Sequence, residues 1–509
     1  MSEFYPYFTK DGSVGLYSKD FNDIYHSATG ALTEAYEKFI YPSNLQDILL
    51  RYDNIRVLDI CYGIGYNTKA LLNYILENRK NISSQKSFQK KITNKFSKFF
   101  KYFSSKNLKT NQKLTDDYAP IYTNKILLQN NKCGAIHTDK IPTRTEILSQ
   151  NCGAIYSNNI SNSQKGNCNS SIHGNKSKEK KKNINGFLQR FVKRNLTNRS
   201  NYIRESLPSI YIKAVDFDKN ISCLSPFIKT GEKHYKRFNK NLPNEKINKY
   251  LTDDSESKIL KVEPEINYLL LNALISTKPE IFSDITINSI LSVAKFRPFF
   301  DKNIRGIFEF YKHKRTNCKP HNKIVTLLHN IYYQHVSLSY KNRLKTYQLQ
   351  DINFDLQNDD ARKVLLEDSN SYNLIFLDAF TPSKCPCLWS FDFFKQLYVH
   401  LEPDGMLLTY SSSASIRGAM IAAGFFIGQI YNERTGQYFG TVATKDETLI
   451  KHHLSEFDLG LVKTKAGIFY RDPCLSAQNE AILKEREDEV KNSNRESSSH
   501  YKKRFATNY

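Results

Sequence analysis

The segment Asn54 to Leu72, NIRVLDICYGIGYNTKALL, decides the fold of this 509-residue chain. It begins with a short apolar run rich in β-branched residues, which is typical of a buried parallel strand. Asp59 lies inside that run, and because burying an unpaired carboxylate is costly, it should face a hydrogen-bond partner or a ligand. A Gly63-Ile64-Gly65 turn and a helix-like run follow. Strand, glycine turn and helix in this order form the crevice of an open α/β sheet, where nucleotide-like ligands bind.

The glycine turn does not favour a dinucleotide, because Thr68 stands where the G-x-G-x-x-G pattern has its third glycine. An acidic residue four positions before a Gly-x-Gly pair resembles motif I of the class I methyltransferases that use S-adenosylmethionine (SAM). Cys61 occupies the first glycine position of that motif. We therefore expect either a negative φ at Cys61 or a slightly displaced ligand. The alternative is an ordinary buried strand with a glycine turn.

The composition indicates a globular enzyme that carries poorly ordered insertions. Hydrophobic residues make up 40% of the chain, the mean hydropathy is −0.55, and Lys, Asn and Ser crowd residues 80–205. Two near-copies there, KCGAI at 132–136 and NCGAI at 151–155, indicate an expanded insertion. We predict an N-terminal segment with the first βα unit (1–79), a basic, mostly disordered insertion (80–205), a second strand region (206–227), a polar linker and helical insertion (228–346), the rest of the main domain (347–475) and a charged tail (476–509).

The charge balance favours a polyanionic partner such as nucleic acid. Lys and Arg number 74 against 51 Asp and Glu, which gives a net charge of +23 and a pI near 9.4. The alternative is that the excess only solvates the insertion, and both can hold. The N-terminus has neither a basic nor an apolar leader region, and no apolar run reaches membrane-spanning length, so we expect a cytoplasmic protein without a membrane partner.

The cysteines predict neither a disulfide framework nor a metal site. Nine cysteines in so long a chain fit a reducing compartment. We expect no metal, because the residues that could hold zinc in the insertion have no Cys-x-x-Cys spacing: Cys133, His137, Cys152 and Cys168. We interpret Cys385 and Cys387 of the C-P-C sequence as incidental.

Further apolar strands with acidic ends predict a doubly wound α/β sheet. Residues 209–216 end in Asp216, which is placed to accept hydrogen bonds from ribose hydroxyls, with Asp218 as the fallback. Apolar clusters in 263–346 predict helices of a cap or an extra layer. The later predictions are strands at 347–356, 372–378 and 406–411, a turn at 403–405, helices after Asp360, at 389–401 and at 415–423, and a closing hairpin of 425–430 with 440–444.

The N-terminal region predicts a helix at 33–39, which Pro42 ends. Tyr25, His26 and Ser27 precede a glycine turn, where they would cover a ligand site or pack against the core. The sequence makes no prediction of oligomeric state.

Several motifs together resemble the methyltransferase domain of the bacterial MnmC and MnmD enzymes, which modify the wobble uridine of tRNA. The resemblance covers roughly half of the chain. Its most specific part is the family signature F-L-D-G/A-F-x-P-x-K-x-P-x-x-W, matched here by FLDAFTPSKCPCLW at Phe376 to Trp389. The other matching motifs are SATGALTEA (27–35), the motif I run, AVD (214–216), DDAR (359–362), PDGMLLTYSSS (403–413) and GTVATK (440–445).

The resemblance implies a class I fold and transfer of a methyl group from SAM to the primary amine of 5-aminomethyl-2-thiouridine, giving 5-methylaminomethyl-2-thiouridine. The expected cofactor is SAM and the expected partner is tRNA, through its anticodon loop. No second glycine-rich nucleotide motif follows residue 445. The chain therefore resembles the stand-alone methyltransferase type, without the flavin oxidase domain.

The resemblance also implies roles for individual residues. Asp59, Gly63 and Gly65 would line the methionine end of SAM, Asp216 would hold the ribose, and Asp360 would approach the adenine. Cys61, Asp359 in place of the glycine of G-D-A-R, and the long insertions depart from the family pattern.

The acceptor side follows from the chemistry that methyl transfer to an amine needs. The attacking nitrogen must be neutral, so a carboxylate near it can position the amine and receive a proton, and Asp378 is our candidate. Phe380 and Trp389 would stack on a flipped-out base, beside Pro382, and Lys384 would meet phosphates. The alternatives are that Asp378 caps a helix and that both aromatic rings are core residues.

Two other functions stay open on the sequence. One is another class I SAM enzyme, either an aminopropyltransferase or a different RNA methyltransferase. The other is a non-catalytic RNA-binding relative that no longer binds the cofactor because of Cys61 and the insertions.

Overall fold

The computed structural model describes residues 4–18, 23–24, 30–105, 207–232, 260, 263–316, 323–346, 352–433 and 435–507. The chain divides into one unit of residues 1–85 with 206–509 and a second unit of residues 86–205. The second unit is described only at 86–105, which are helical. The predictions for residues 25–27 and for the cysteines and histidine of the insertion lie outside the described residues.

The first unit is built on a seven-stranded sheet. In spatial order its strands are β6 (Ile352–Gln357), β5 (Ser209–Val215), β4 (Asn54–Ile60), β7 (Tyr372–Leu377), β8 (Leu401–Thr409), β10 (Gln437–Thr444) and β9 (Phe426–Asn432). The first five strands are parallel, and β10 is antiparallel to both of its neighbours. The chain winds outward from β4 to β6 and then returns to β7 on the other side of β4. The predicted doubly wound α/β fold is therefore confirmed, with its topological switch point between β4 and β7.

A second, three-stranded antiparallel sheet precedes this fold and was not predicted. It consists of β1 (Phe4–Phe8), β2 (Val14–Ser18) and β3 (Asp23–Ile24). Next come α1 (Ala31–Ala35), a π-helical turn (Tyr36–Ile40), a 3₁₀ turn (Tyr41–Ser43) and α2 (Leu45–Arg51). The helix predicted at 33–39 thus begins two residues earlier and widens into the π-helical turn.

Helices cover both faces of the sheet. The remaining α-helices are α3 (Tyr66–Ser105), α4 (Lys219–Leu224), α5 (Glu263–Thr277), α6 (Ile285–Ser292), α7 (Lys302–Thr316), α8 (Lys323–Thr346), α9 (Ala361–Glu367), α10 (Phe391–His400), α11 (Ala414–Ala422), α12 (Glu456–Lys463), α13 (Asn479–Asn492) and α14 (Ser498–Thr507). Short 3₁₀ turns lie at Ser225–Phe227, Pro279–Phe282, Ala294–Phe299, Pro386–Trp389, Glu447–Leu449 and Lys465–Gly467. Among the described residues no helix combines the length and apolarity needed to cross a membrane.

The core is divided by the sheet because alternate residues of a strand face opposite sides. Ile55 and Val57 of β4 pack in a cluster with α3 and the helical insertion, whereas Leu58 and Ile60 pack in a cluster with α10 and α11. Burial on both faces explains why the parallel strands are nearly continuous apolar runs. Asp59 lies on the same side of β4 as Ile55 and Val57, which is the face of the sheet that α3 covers.

Two boundaries differ from the predictions. β8 begins at Leu401, before the predicted strand, but its pairing with β7 passes from Tyr372–Leu401 to Leu374–Met406, so the turn predicted at residues 403–405 coincides with a bulge. α3 extends through residues 80–105 of the predicted insertion, and the disorder predicted for most of the insertion stays a prediction. The closing hairpin of β9 and β10 is confirmed, and the charged tail contains α13 and α14.

Arg362 at the start of α9 ties the C-terminal segment to the sheet. Its guanidinium donates to the carboxylate of Asp360 and, at 2.7 Å, to that of the fully buried Asp472, and it also donates to the carbonyl of Ala477. These bonds hold the pKa of Arg362 above its usual range, although burial opposes them.

Replacing Arg362 with Met should destabilise the protein by about 3 kcal/mol, because the buried carboxylate of Asp472 loses its cation. Lys363 provides a matched control on the same helix, because its pair with Asp359 is exposed. We expect no measurable change in the urea midpoint for Lys363→Met. Equal midpoints for the two variants would contradict this account.

Candidate active site

Three carboxylates meet at the carboxyl ends of β4, β5 and β7. They belong to Asp59, Asp216 and Asp378, and one short segment at the start of α3 bonds to all three. The backbone N–H of Gly63 donates to Asp216 at 2.6 Å, the amide of Asn67 donates to Asp378 at 3.2 Å, and the hydroxyl of Thr68 donates to Asp59 at 2.7 Å. The structure thus brings together three of the residues that the sequence singled out.

The loop before α3 takes a left-handed backbone at each key position. The φ angles are +62° at Cys61, +54° at Gly63 and +80° at Gly65. The N–H groups of Cys61 and Tyr62 both donate to the carbonyl of Val215, which fixes the loop on β5. A Cβ at Gly65 would lie 2.4 Å from the hydroxyl of Tyr62.

The negative φ considered for Cys61 is therefore wrong. Cys61 adopts the left-handed conformation at a cost of about 1–2 kcal/mol relative to glycine. The hydrogen bond from its N–H to the carbonyl of Val215 offsets part of the strain.

Asp59 is fully buried, and one of its oxygens is unsatisfied. Oδ2 accepts from Thr68, but Oδ1 has no hydrogen-bond partner among the described residues. Burial raises the pKa of Asp59 to about 7 against the hydrogen bond from Thr68, and the charges of Asp378 and Asp216 raise it further. A ligand that offers a hydrogen-bond donor or a positive charge would satisfy this oxygen.

Asp216 follows β5 and supports the loop. Its Oδ1 accepts from the N–H of Asp218 at 2.8 Å, beside the bond from Gly63 to Oδ2, and burial raises its pKa to about 6. Asp218, the fallback ribose ligand, caps α4 by accepting from the N–H of Asn220 at 2.8 Å. Between the two aspartates the ring of Phe217 is 83% exposed, which places an apolar face at the crevice.

Asp378 follows β7, and an ion pair from the N-terminal region lies near it. Burial raises its pKa to about 6, the nearby Lys38 ammonium opposes this rise, and the charge of Glu34 adds to it. Lys38 and Glu34 pair at 2.7 Å on the segment that includes the π-helical turn. Sequence reasoning missed these two residues, although their i,i+4 spacing is visible in the sequence. Asp378 accepts from Asn67 and does not cap a helix.

Asp360 lies at the N-cap of α9. Its carboxylate accepts from the N–H of Arg362 at 2.9 Å and pairs with the guanidinium of the same residue. The approach to adenine predicted for Asp360 stays a prediction, and its side chain is 34% exposed.

The residues predicted to contact the substrate lie on the segment 378–389, here called the acceptor loop. Phe380, Pro382 and Lys384 are partly exposed. Trp389, in contrast, is fully buried and donates its indole N–H to the carbonyl of Phe380 at 2.7 Å. The prediction that Trp389 stacks on a base is therefore wrong, because its ring is buried in the core.

The electrostatics of the site favour a cationic ligand. The pKa values of the three aspartates are all raised above 3.8, and those of Asp59 and Asp378 are raised further by neighbouring carboxylates. No group of metal-ligating side chains suited to an ion occurs among the described residues. A ligand with a sulfonium and an ammonium group matches this cluster, and the unsatisfied Oδ1 of Asp59 provides an acceptor for it.

Comparison with known proteins agrees with this chemistry. Residues 323–437 match the model of a family described as S-adenosyl-L-methionine-dependent methyltransferase. The predicted resemblance to SAM-dependent methyltransferases is thereby confirmed for this segment. SAM is the cofactor that the family description names, as the sequence predicted. The matched residues include β7, the acceptor loop and Asp378.

Two individual proteins are also similar. The uncharacterized protein MJ0670 of Methanocaldococcus jannaschii is 31% identical over 159 residues, which are 29% of this chain and 44% of that protein. The match thus spans less than half of that relative. A crystal structure of MNMC2 from Aquifex aeolicus superposes with a TM-score of 0.46 and 15% identity, over 97% of this chain and 87% of that one. The strand order described above establishes the fold.

The free energy of unfolding of the Asp59→Asn variant, relative to that of the wild type, should increase with pH. An exposed Asp titrates near 3.8 and the folded Asp59 near 7, so the unfolded chain releases a proton that the folded protein keeps. The free energy of unfolding of the wild type therefore falls as the pH rises through this window. The difference between variant and wild type should grow by about 2 kcal/mol from about pH 5 to about pH 8. Urea unfolding at both pH values measures it, and a constant difference would contradict the assignment.

Proposed function

We propose that this protein transfers the methyl group of SAM to the primary amine of a 5-aminomethyl group on the wobble (2-thio)uridine of tRNA. The observation that carries the proposal is the position of Asp378. It ends β7 beside the glycine loop, its carboxylate accepts from Asn67, and it begins the acceptor loop whose sequence resembles the MnmC and MnmD signature.

The donor side would be held by the carboxylate cluster. Asp59, Gly63 and Gly65 would line the methionine end of SAM, Asp216 would bind the ribose, and Asp360 would lie toward the adenine. When bound, SAM supplies an electrophilic methyl carbon on a sulfonium centre. The buried carboxylates would ionise opposite this positive charge, because a nearby cation lowers their raised pKa values.

The chain's own contribution to the reaction would be to orient the amine and remove its proton. An alkylamine is mostly protonated at neutral pH and must lose a proton before it attacks. Asp378 has a pKa of about 6, so its carboxylate is mostly ionised at neutral pH and can accept a hydrogen bond from the ammonium. Near-attack positioning supplies most of the acceleration in such a displacement.

Recognition of tRNA would use the acceptor loop and the positive charge of the chain. Phe380 and Pro382 present partly exposed apolar surface, and the side chain of Lys384 is nearby for a phosphate. Unpaired anticodon bases are commonly recognised by stacking on such surfaces. The net charge of +23 supports attraction to a polyanion.

The test is to incubate the purified protein with SAM and tRNA that carries the aminomethyl group, and to measure the methylated nucleoside by mass spectrometry. We expect 5-methylaminomethyl-2-thiouridine. SAM binding without any methylated nucleoside would reject the proposed substrate, and the absence of SAM binding by calorimetry would indicate a non-catalytic relative.

Replacing Asp378 with Asn should lower the rate of methyl transfer by about a hundredfold while changing SAM affinity little, because the amine loses its acceptor. Asp488→Asn, at an exposed pair on α13, is the matched control and should keep the wild-type rate. The two quantities are measured by single-turnover kinetics and calorimetry. Weaker SAM binding by Asp378→Asn, with an unchanged rate at saturating SAM, would instead assign Asp378 to cofactor binding.

A further inference from the structure

Two thiols lie within the acceptor loop. Cys385 and Cys387 flank Pro386, both are free, and their sulfur atoms are 3.6 Å apart. Cys385 is partly exposed, whereas Cys387 is buried. A pair at this separation needs only a small movement of the two sulfurs to form a bond.

The surroundings shift the pKa values of the two thiols in opposite directions. The Cys385 thiol hydrogen-bonds to Cys387, and together with the Arg362 guanidinium it lowers the pKa of Cys387 although burial opposes this. The same contact and burial raise the pKa of Cys385. The two thiols therefore interact directly, and the partly exposed Cys385 is the one that an oxidant in solvent can reach.

We propose that Cys385 and Cys387 form a reversible disulfide that switches the acceptor loop between a competent and an incompetent shape. With a peroxide as oxidant, the sulfur of one cysteine attacks a peroxide oxygen, which forms a sulfenic acid and releases water or an alcohol. The sulfur of the other cysteine then displaces hydroxide from the sulfenic acid, and the hydroxide leaves as water with the thiol proton. Two thiols are oxidised to one disulfide, and the peroxide is reduced.

The disulfide would change the shape of the acceptor loop. Asn479 at the start of α13 holds both ends of the cysteine pair, since it accepts from the N–H of Cys387 at 3.4 Å and donates to the carbonyl of Lys384 at 3.4 Å. A disulfide brings the sulfurs to about 2.05 Å, and the fixed φ of Pro386 directs the adjustment into the flanking residues. Lys384 is one of these residues.

The donor side would be affected less. Asp59 and Asp216 follow other strands and are held by Thr68 and Gly63, whose bonds do not involve the acceptor loop. Oxidation should therefore impair methyl transfer and leave SAM binding nearly unchanged. This functional consequence rests on the proposed function, whereas bond formation does not.

Bond formation is tested by mass spectrometry on the full-length protein. The protein is treated briefly with hydrogen peroxide, blocked with N-ethylmaleimide and digested with trypsin, which releases the peptide of residues 385–395, CPCLWSFDFFK. We expect this peptide to lose two hydrogens, to carry no maleimide, and to return to two maleimides after dithiothreitol. Cys474, which is exposed, reports on general thiol access in the same digest, and Cys474→Ser should oxidise at residues 385–395 like the wild type.

Two results would overturn the proposal. One is a 385–395 peptide that still carries two maleimides after Cys474 has reacted with peroxide. The other is a cross-link of Cys387 to Cys61, whose charge contributes to raising the pKa of Cys385. Cys385→Ser cannot form the bond, so its peptide should never show the loss of two hydrogens.

The functional arm compares methyl transfer and SAM binding before oxidation, after it, and after dithiothreitol. Transfer by the wild type should fall by at least about tenfold and recover, with SAM affinity unchanged, because a small displacement of the loop disturbs near-attack geometry. Transfer that is unchanged in the oxidised wild type overturns the switch. If the reduced protein methylates no tRNA at all, the proposed function fails, and the peptide masses still decide whether the disulfide forms.

Discussion

The structure depends on one constraint: the first turn of α3 and the loop before it must hold three carboxylates together. Gly63 binds Asp216, Asn67 binds Asp378, and Thr68 binds Asp59. Each bond favours the charged form, but burial outweighs it and raises all three pKa values, and neighbouring carboxylates add to the rise. The cluster therefore favours a cation. Binding of a positively charged ligand would offset the unfavourable free energy of keeping these carboxylates ionised in the folded protein.

The backbone of the loop before α3 is also strained. Cys61 adopts a left-handed conformation that a side chain disfavours, and it does so because the loop must turn from β4 toward the carbonyl of Val215 before α3 begins. The sheet on both sides of this loop is rigid and buried on both faces. Strain at the ligand crevice is thus supported by well-packed strands, as expected where geometry serves binding.

The sequence was sufficient for the strands and their acidic ends, because apolar runs and chain order alone determine a doubly wound sheet. It was insufficient where tertiary contacts decide. Trp389 is buried, and its indole N–H donates to the carbonyl of Phe380. The approach of Lys38 and Glu34 to Asp378 joins segments more than 300 residues apart, which periodicity cannot reveal.

The central claim is that the carboxylate cluster ionises when it receives a cationic cofactor. Calorimetry of SAM binding at about pH 6.5, repeated in buffers with different ionisation enthalpies, measures the protons released on binding. We expect release of a substantial fraction of a proton with SAM, and a smaller release and weaker binding with S-adenosylhomocysteine, which lacks the sulfonium charge. Binding of both ligands with equal affinity and without proton release would contradict it.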